Sequence, residues 1–229
     1  MGCDLQRGRK SMKASIILVT WSPSKDRLNL LKKTIASLKE STEVPYEFIV
    51  VDNGPKEQTD FLKTQKIDKH IINVMNKGIG YGRNQGFKEA IGDYIAYIDS
   101  DLLFEKDWLK EGIELLEKYP EKKLIASTCF SSHQTVKSFF HGSCGENFLW
   151  SRACPAGLVF RKESFYDLGL WAIHPRSGTF LCKVAKIKKY LFISLVFPKV
   201  VHRGVYSSYN HKSLIKNRTW KNLWGLEKG

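Results

Sequence analysis

Asp99 and Asp101 stand one residue apart behind an apolar run, in the stretch Asp93-Tyr94-Ile95-Ala96-Tyr97-Ile98-Asp99-Ser100-Asp101. Two carboxylates at the end of a strand can share one hard divalent cation. Mg²⁺ or Mn²⁺ takes few protein ligands and leaves positions for phosphate oxygens. Such a cation stabilises the charge that develops on a departing nucleoside diphosphate. Asp52 closes a second apolar run, Glu47 to Val51, and opens the turn Asp52-Asn53-Gly54-Pro55. It can accept the N–H edge of a base or cap its own turn. Between the two lies a glycine-rich run, Asn76 to Gly86. Its glycines let backbone approach a ligand. Arg83 and Asn84 fall in the first turns of a helix running to Ile91, where a cation and free N–H groups receive phosphate. The spacing is neither a dinucleotide fingerprint nor a phosphate loop ending in Gly-Lys-Ser/Thr.

These groups need a frame, and the chain supplies one. Ser15 to Thr20 is a continuous β-branched and apolar run, the mark of a strand buried on both faces. Leu28, Leu31, Ile35 and Leu38 recur at helical spacing, so Lys25 to Glu40 reads as an amphipathic helix with Ser24 as N-cap. With the strand at Glu47 to Val51 this predicts a right-handed parallel unit. A helix is expected over Gln58 to Thr64 and a strand over His70 to Val74. After Asp101 the spacing predicts a helix over Asp107 to Tyr119 and strands over Leu124 to Phe130 and Ala156 to Phe160. Helices follow at Glu163 to Leu168 and Thr179 to Lys189, then a strand from Leu191 to Phe197. Pro198 to His202 leads out of the fold. Ser131 to Arg152 has no clear period and reads as a binding loop or lid. In open α/β sheets, ligands bind beyond the carboxyl ends of the strands, where Thr20 and Asp52 both lie.

The chain has 229 residues, 42% hydrophobic and 26% charged, which fits a globular domain and argues against disorder. Residues 1–13 read as a loose arm, 14–206 as one domain and 207–229 as a basic tail. Within the domain, 14–104 forms the nucleotide-binding part and 105–206 the acceptor part. No apolar run approaches a bilayer span, and no signal-peptide pattern opens the chain. Five cysteines without a C-x-x-C pair suit reduced thiols in the cytoplasm. The net charge is +14, and the segment from Leu168 to Leu226 carries +11 of it, with eleven Lys/Arg and no Asp or Glu. A basic face draws phosphates or anionic lipid. It suits peripheral contact with the inner face of a membrane. A nucleic-acid role rests on charge alone.

Taken together the motifs resemble the family 2 glycosyltransferases of the GT-A fold, over Ser15 to Gly204. The strand with Thr20, the Val51-Asp52-Asn53 end, the N-x-G-x-G-x-x-R-N-x-G run and Tyr97-Ile98-Asp99-Ser100-Asp101 occur in that family's order and spacing. The resemblance implies an α/β/α sandwich with a mostly parallel central sheet. It implies an inverting transfer from a UDP-, GDP- or dTDP-sugar to a glycan or lipid-phosphate acceptor. Thr20, Asp52, Asn76, Gly78, Arg83 and Asp99 would line the donor site, with Asp52 on the base. Asp99, Asp101 and the late His202 would serve Mn²⁺ or Mg²⁺. Ala156 to Arg161 resembles the strand beneath the acceptor.

One part of the pattern is missing. The family's acidic pair before its late helix falls on Ser177 and Gly178, and the next acidic position on Phe180. In transfer to a sugar hydroxyl a carboxylate there removes the proton. Asp167, Glu146, His141 and His174 are the substitutes within the acceptor part. A phosphate acceptor, already ionised, needs no base. The same gap leaves two rivals: a nucleotide-sugar-binding protein that does not transfer, and a nucleotidyltransferase. The latter's glycine-rich basic loop after the first strand is absent.

Overall fold

The structure, a computed structural model, describes residues 14–121, 123–127, 129–131, 140–145, 148–151, 157–173, 177–195 and 200–202. The first half alternates strand and helix: β1 (Ala14–Thr20), α1 (Lys25–Ser41), β2 (Tyr46–Asp52), α2 (Lys56–Lys63), β3 (Lys69–Ile72), α3 (Ile79–Glu89) and β4 (Tyr94–Ile98). β1 and β4 are buried along their whole length and β2 nearly so, which is why they read as unbroken apolar runs. β2, β1 and β4 lie side by side in parallel, with Ile17 opposite both Ile49 and Tyr97. The second half adds β5 (Leu102–Phe104), α4 (Trp108–Lys118), β6 (Leu124–Ser127), β7 (Cys129–Ser131), β8 (Phe140–Gly145), β9 (Phe148–Ser151), β10 (Leu158–Arg161), α5 (Lys162–Leu168), α6 (Ser177–Ile187), β11 (Leu191–Leu195) and β12 (Val200–His202).

Among the described residues the main sheet has nine strands in the order β3-β2-β1-β4-β10-β6-β11-β9-β8. Only β10 and β9 run against the other seven. Two cores lie on its two faces. Leu31, Ile35 and Leu38 of α1 join Trp108, Ile113 and Leu116 of α4 on one. Phe87 of α3, Phe165 of α5, and Leu181, Cys182 and Ala185 of α6 fill the other. The result is the expected α/β/α sandwich with a mostly parallel sheet. The two halves of the chain share it, because β10 pairs directly with β4. At its N-terminal edge the buried Glu47 fixes the entry to β4. Its Oε1 accepts from Ser15 Oγ at 2.5 Å and from the Ile91 amide at 2.6 Å.

Three expectations need correction. The run Leu124 to Phe130 is not one strand: β6 stops at Ser127, and β7 belongs to a second sheet ordered β5-β12-β7. Of the stretch Pro198 to His202, Pro198 and Lys199 lie outside the described residues, and Val200–His202 does not leave the fold, since β12 is the middle strand of that sheet. Within Ser131 to Arg152, β8 and β9 are antiparallel strands that extend the main sheet beyond β11. β8, at the edge, needs no apolar residue at every position, and its glycines and serine hide its period.

Candidate active site

The carboxyl ends of β1, β2 and β4 converge as the parallel sheet requires, and the acidic residues stand there. Asp99 follows β4 directly. Its Oδ1 lies 2.9 Å from Arg83 Nη2. Asp101 is 3.9 Å from Arg27 Nη1, which projects from the first turn of α1. Both carboxylates are partly exposed, Asp99 at 29% and Asp101 at 12% of the side chain. They are open enough to reach a ligand and sheltered enough for charge to act at reduced screening. Trp21, just past β1, is half exposed. No motif pointed to it; an exposed aromatic at a strand's carboxyl end is the signal that finds it.

Arg83 is held from behind. Its guanidinium carbon lies 4.2 Å from the Trp171 ring centroid and 5.6 Å from that of Tyr97. A desolvated cation over indole is a favourable contact. Trp171 is itself pinned by the next residue of α3. Asn84 Oδ1 accepts from the Trp171 amide at 2.8 Å, and Asn84 Nδ2 donates to the Trp171 carbonyl at 3.0 Å. The segment after α5 therefore braces the arginine that meets Asp99. Sequence reading missed this clamp, because its partners are 87 positions apart.

The glycines of the Asn76–Gly86 run act differently from expectation. Gly78 does take a left-handed φ of 84° at the start of α3, with Asn76 Oδ1 accepting from its amide at 2.8 Å. Gly82 and Gly86 instead face β1. A Cβ on Gly82 would lie 2.6 Å from Val19, and one on Gly86 2.5 Å from Ile17. They bring α3 against the sheet so that Arg83 reaches Asp99.

Thr20 and Asp52 are interior groups, 1% and 0% exposed. The Asp52 carboxylate accepts from the Gly54 amide (2.9 Å), Thr59 Oγ1 (2.6 Å) and Gln58 Nε2, and His70 Nε2 lies 3.3 Å away. Gln58 also contacts the Thr20 hydroxyl and carbonyl, so its carboxamide fills the space between the two. A base that uses Asp52 must displace that carboxamide. Beside it runs an amide chain that the sequence reading did not anticipate: Asn73 donates to Asn53 Oδ1 and to Gln85 Oε1, each at 2.8 Å.

A divalent cation fits the donor set at Asp99 and Asp101: two carboxylates at one strand end, with the remaining positions left to phosphate and water. Among the described residues no group of three or more His, Cys, Asp or Glu comes together to hold a metal. The backbone of His202 is in register with Leu102, the residue after Asp101. That pairing carries the expected late histidine back to the acidic pair.

The substitute bases fare differently. Asp167 is at the wrong edge of the sheet. Its carboxylate meets Lys123 Nζ at 3.0 Å, Lys188 Nζ at 3.2 Å and Tyr190 Oη at 3.0 Å. Those hydrogen bonds hold its pKa down at about 2. Lys123 precedes β6, whose Ala126 is level with Ala96 of β4 through Val159. Asp167 thus lies at the N-terminal edge, about 20 Å from Asp99 at roughly 3.3 Å per residue. His141 belongs to β8, five strands from β4, or about 24 Å at ~4.8 Å per strand. Glu146 and His174 fall outside the described residues. α6 begins at Ser177 with no acid in its first turn, so the gap read in the sequence falls on a helix start.

A sequence model described as glycosyl transferase family 2 matches residues 19–168. A glucosyl-dolichyl phosphate glucuronosyltransferase of Haloferax volcanii is 29% identical over 69% of this chain and 55% of its own length. An uncharacterized glycosyltransferase of Bacillus subtilis is 32% identical over 66% of this chain and 38% of its own. The chain thus spans about half or less of these relatives. Among solved structures, GalNAc-T7 with UDP, GalNAc and Mn²⁺ superposes with a TM-score of 0.66 at 14% identity, over 86% of this chain and 44% of that one. Staphylococcus aureus TarS 1–349 with UDP gives 0.64 at 18%, over 83% and 60%. At such identities these show the shared GT-A fold. The chain belongs to the family 2 glycosyltransferases.

Proposed function

We propose that the protein transfers a sugar from a nucleotide-sugar donor, with a divalent cation at Asp99 and Asp101, to a glycan or lipid-phosphate acceptor, with inversion at the anomeric carbon. The observation that carries this reading is the juxtaposition of Asp99, Asp101, Arg83 and Arg27 at the carboxyl end of β4. Mn²⁺ or Mg²⁺ held by the acidic pair would supply electrostatic stabilisation of the leaving diphosphate. Arg83 and Arg27, each already against one carboxylate, would meet the same phosphates. Trp21 offers a ring face for the base, and Asn76 and Gly78 line the approach to α3. Asp52 and Thr20 contact the nucleoside once Gln58 yields. His202, whose backbone pairs with Leu102, would be the further metal ligand. UDP stands bound in the GalNAc-T7 and TarS structures, which supports a uridine donor here.

A thermal-shift screen of UDP-, GDP- and dTDP-sugars with and without Mn²⁺ tests this. One donor should raise the melting temperature only when metal is present. No stabilisation by any donor–metal pair would refute the reading.

The missing acid at the start of α6 favours a second reading, a protein that binds the donor without transferring it to a hydroxyl. Donor binding with no turnover on hydroxyl or phosphate acceptors would select it. Turnover on a phosphate acceptor alone would instead select an acceptor that needs no base.

A further inference from the structure

The second face of the sandwich ends in a surface of exposed apolar side chains and lysines. On α6, Leu181, Cys182 and Ala185 point into the core, while Phe180, Lys183 and Ile187 project on the opposite side. Phe180 is 42% and Ile187 78% exposed, and Lys183 Nζ lies 5.7 Å from the Phe180 ring. Lys188 joins α6 to α5, bonding the Asp167 carbonyl and carboxylate. In the stretch from α5 to α6, Tyr166, Leu170 and Ile173 are each more than 60% exposed. Lys186 and Lys189 are exposed as well. Between Tyr166 and Leu191 the single acid is Asp167, already bound by two lysines. Large apolar side chains interspersed with lysines are the composition of a surface that rests in a lipid interface.

We infer that the α5–α6 face seats the protein on an anionic bilayer surface, with Phe180 and Ile187 entering the headgroup boundary and the lysines meeting lipid phosphates. Charge decides among occupants. A second copy of the same face brings its own lysines, and like charges repel. The chain's own 207–229 segment is basic too, so it does not complement this face. Nucleic acid matches the charge and leaves the exposed apolar surface in water. An anionic bilayer satisfies both. No described helix is long and apolar enough to cross a membrane, and the inferred contact is made by a surface.

Co-sedimentation of the full chain with phosphatidylcholine vesicles, with and without phosphatidylglycerol, tests this. Binding should need the anionic lipid and weaken as salt is added. K183Q/K186Q/K189Q should lower the affinity on the order of a hundredfold, at about fivefold per lysine. F180S/I187S should weaken binding while leaving its salt dependence in place. Both variants carry exposed substitutions, and circular dichroism checks that they fold. The inference is overturned if the wild type ignores anionic vesicles. It is overturned too if the lysine variant binds as well as wild type while removal of 207–229 abolishes binding. A dimer that F180S/I187S dissociates would make the face a self-interface and overturn it likewise. The assay needs neither donor nor metal, so its outcome is independent of the donor screen.

Discussion

Asp99 and Asp167 are both carboxylates held by cationic side chains, yet the sheet puts them at opposite edges. Asp99 sits at the carboxyl edge, partly sheltered, against one arginine that is itself braced by Trp171 and Tyr97. Asp167 sits at the N-terminal edge, among two lysines and a tyrosine. The first arrangement leaves a carboxylate able to exchange its arginine for a metal, and an arginine able to turn to a phosphate. The second spends the carboxylate on joining α5 to β6 and α6. Position along the strand, rather than the number of ion pairs, separates a candidate ligand site from a structural one.

The comparison breaks first if the packing that aims Arg83 is spoiled. Gly86→Ala sets a Cβ 2.5 Å from Ile17, and overpacking of that kind costs about 1–3 kcal/mol. Urea unfolding should show that loss. Trp171→Leu removes the surface behind Arg83 and should weaken donor binding about tenfold, with Trp171→Phe restoring most of it. Calorimetry reads both; equal affinities in all three proteins would detach Trp171 from the site. Gln58→Ala clears the space over Asp52 and Thr20. If Asp52 reads the base, donor affinity rises severalfold; a loss of stability with unchanged affinity would leave Asp52 as a turn cap alone.

The smallest effect belongs to Asp167. Its folded pKa, about 2, lies below that of an unfolded aspartate, so its contribution to stability is present above the unfolded value and fades as pH falls toward 2. Asp167→Asn should therefore lower the melting temperature slightly at neutral pH and converge with wild type near pH 2. Donor binding should be untouched, as its distance from Asp99 requires.

Much of the parallel half and of its acidic strand end was legible in the sequence because it follows local rules. Buried parallel strands read as unbroken apolar runs, and Asp99 and Asp101 follow such a run directly. The carboxylate missing from the start of α6 was legible too. What escaped depends on long-range pairing. Asn84 and Trp171 show no local sign that they meet. Gln58 looks like any polar residue of a short helix, yet it fills the space beside Asp52. Gly82 and Gly86 suggested a ligand loop because glycine content does not say what the missing side chain would have struck. β12 is three residues long, too short to carry a period, although its register returns His202 to the acidic pair.

In the proposed function, Asp99 and Asp101 act through a divalent cation on a nucleotide-sugar. Titrating the stabilising donor into wild type and Asp101→Ala, each with and without Mn²⁺, tests that most directly. Wild type should bind the donor tightly only with Mn²⁺, and Asp101→Ala should lose the metal-dependent part while keeping its fold. Equal, metal-independent binding by both proteins would contradict the account.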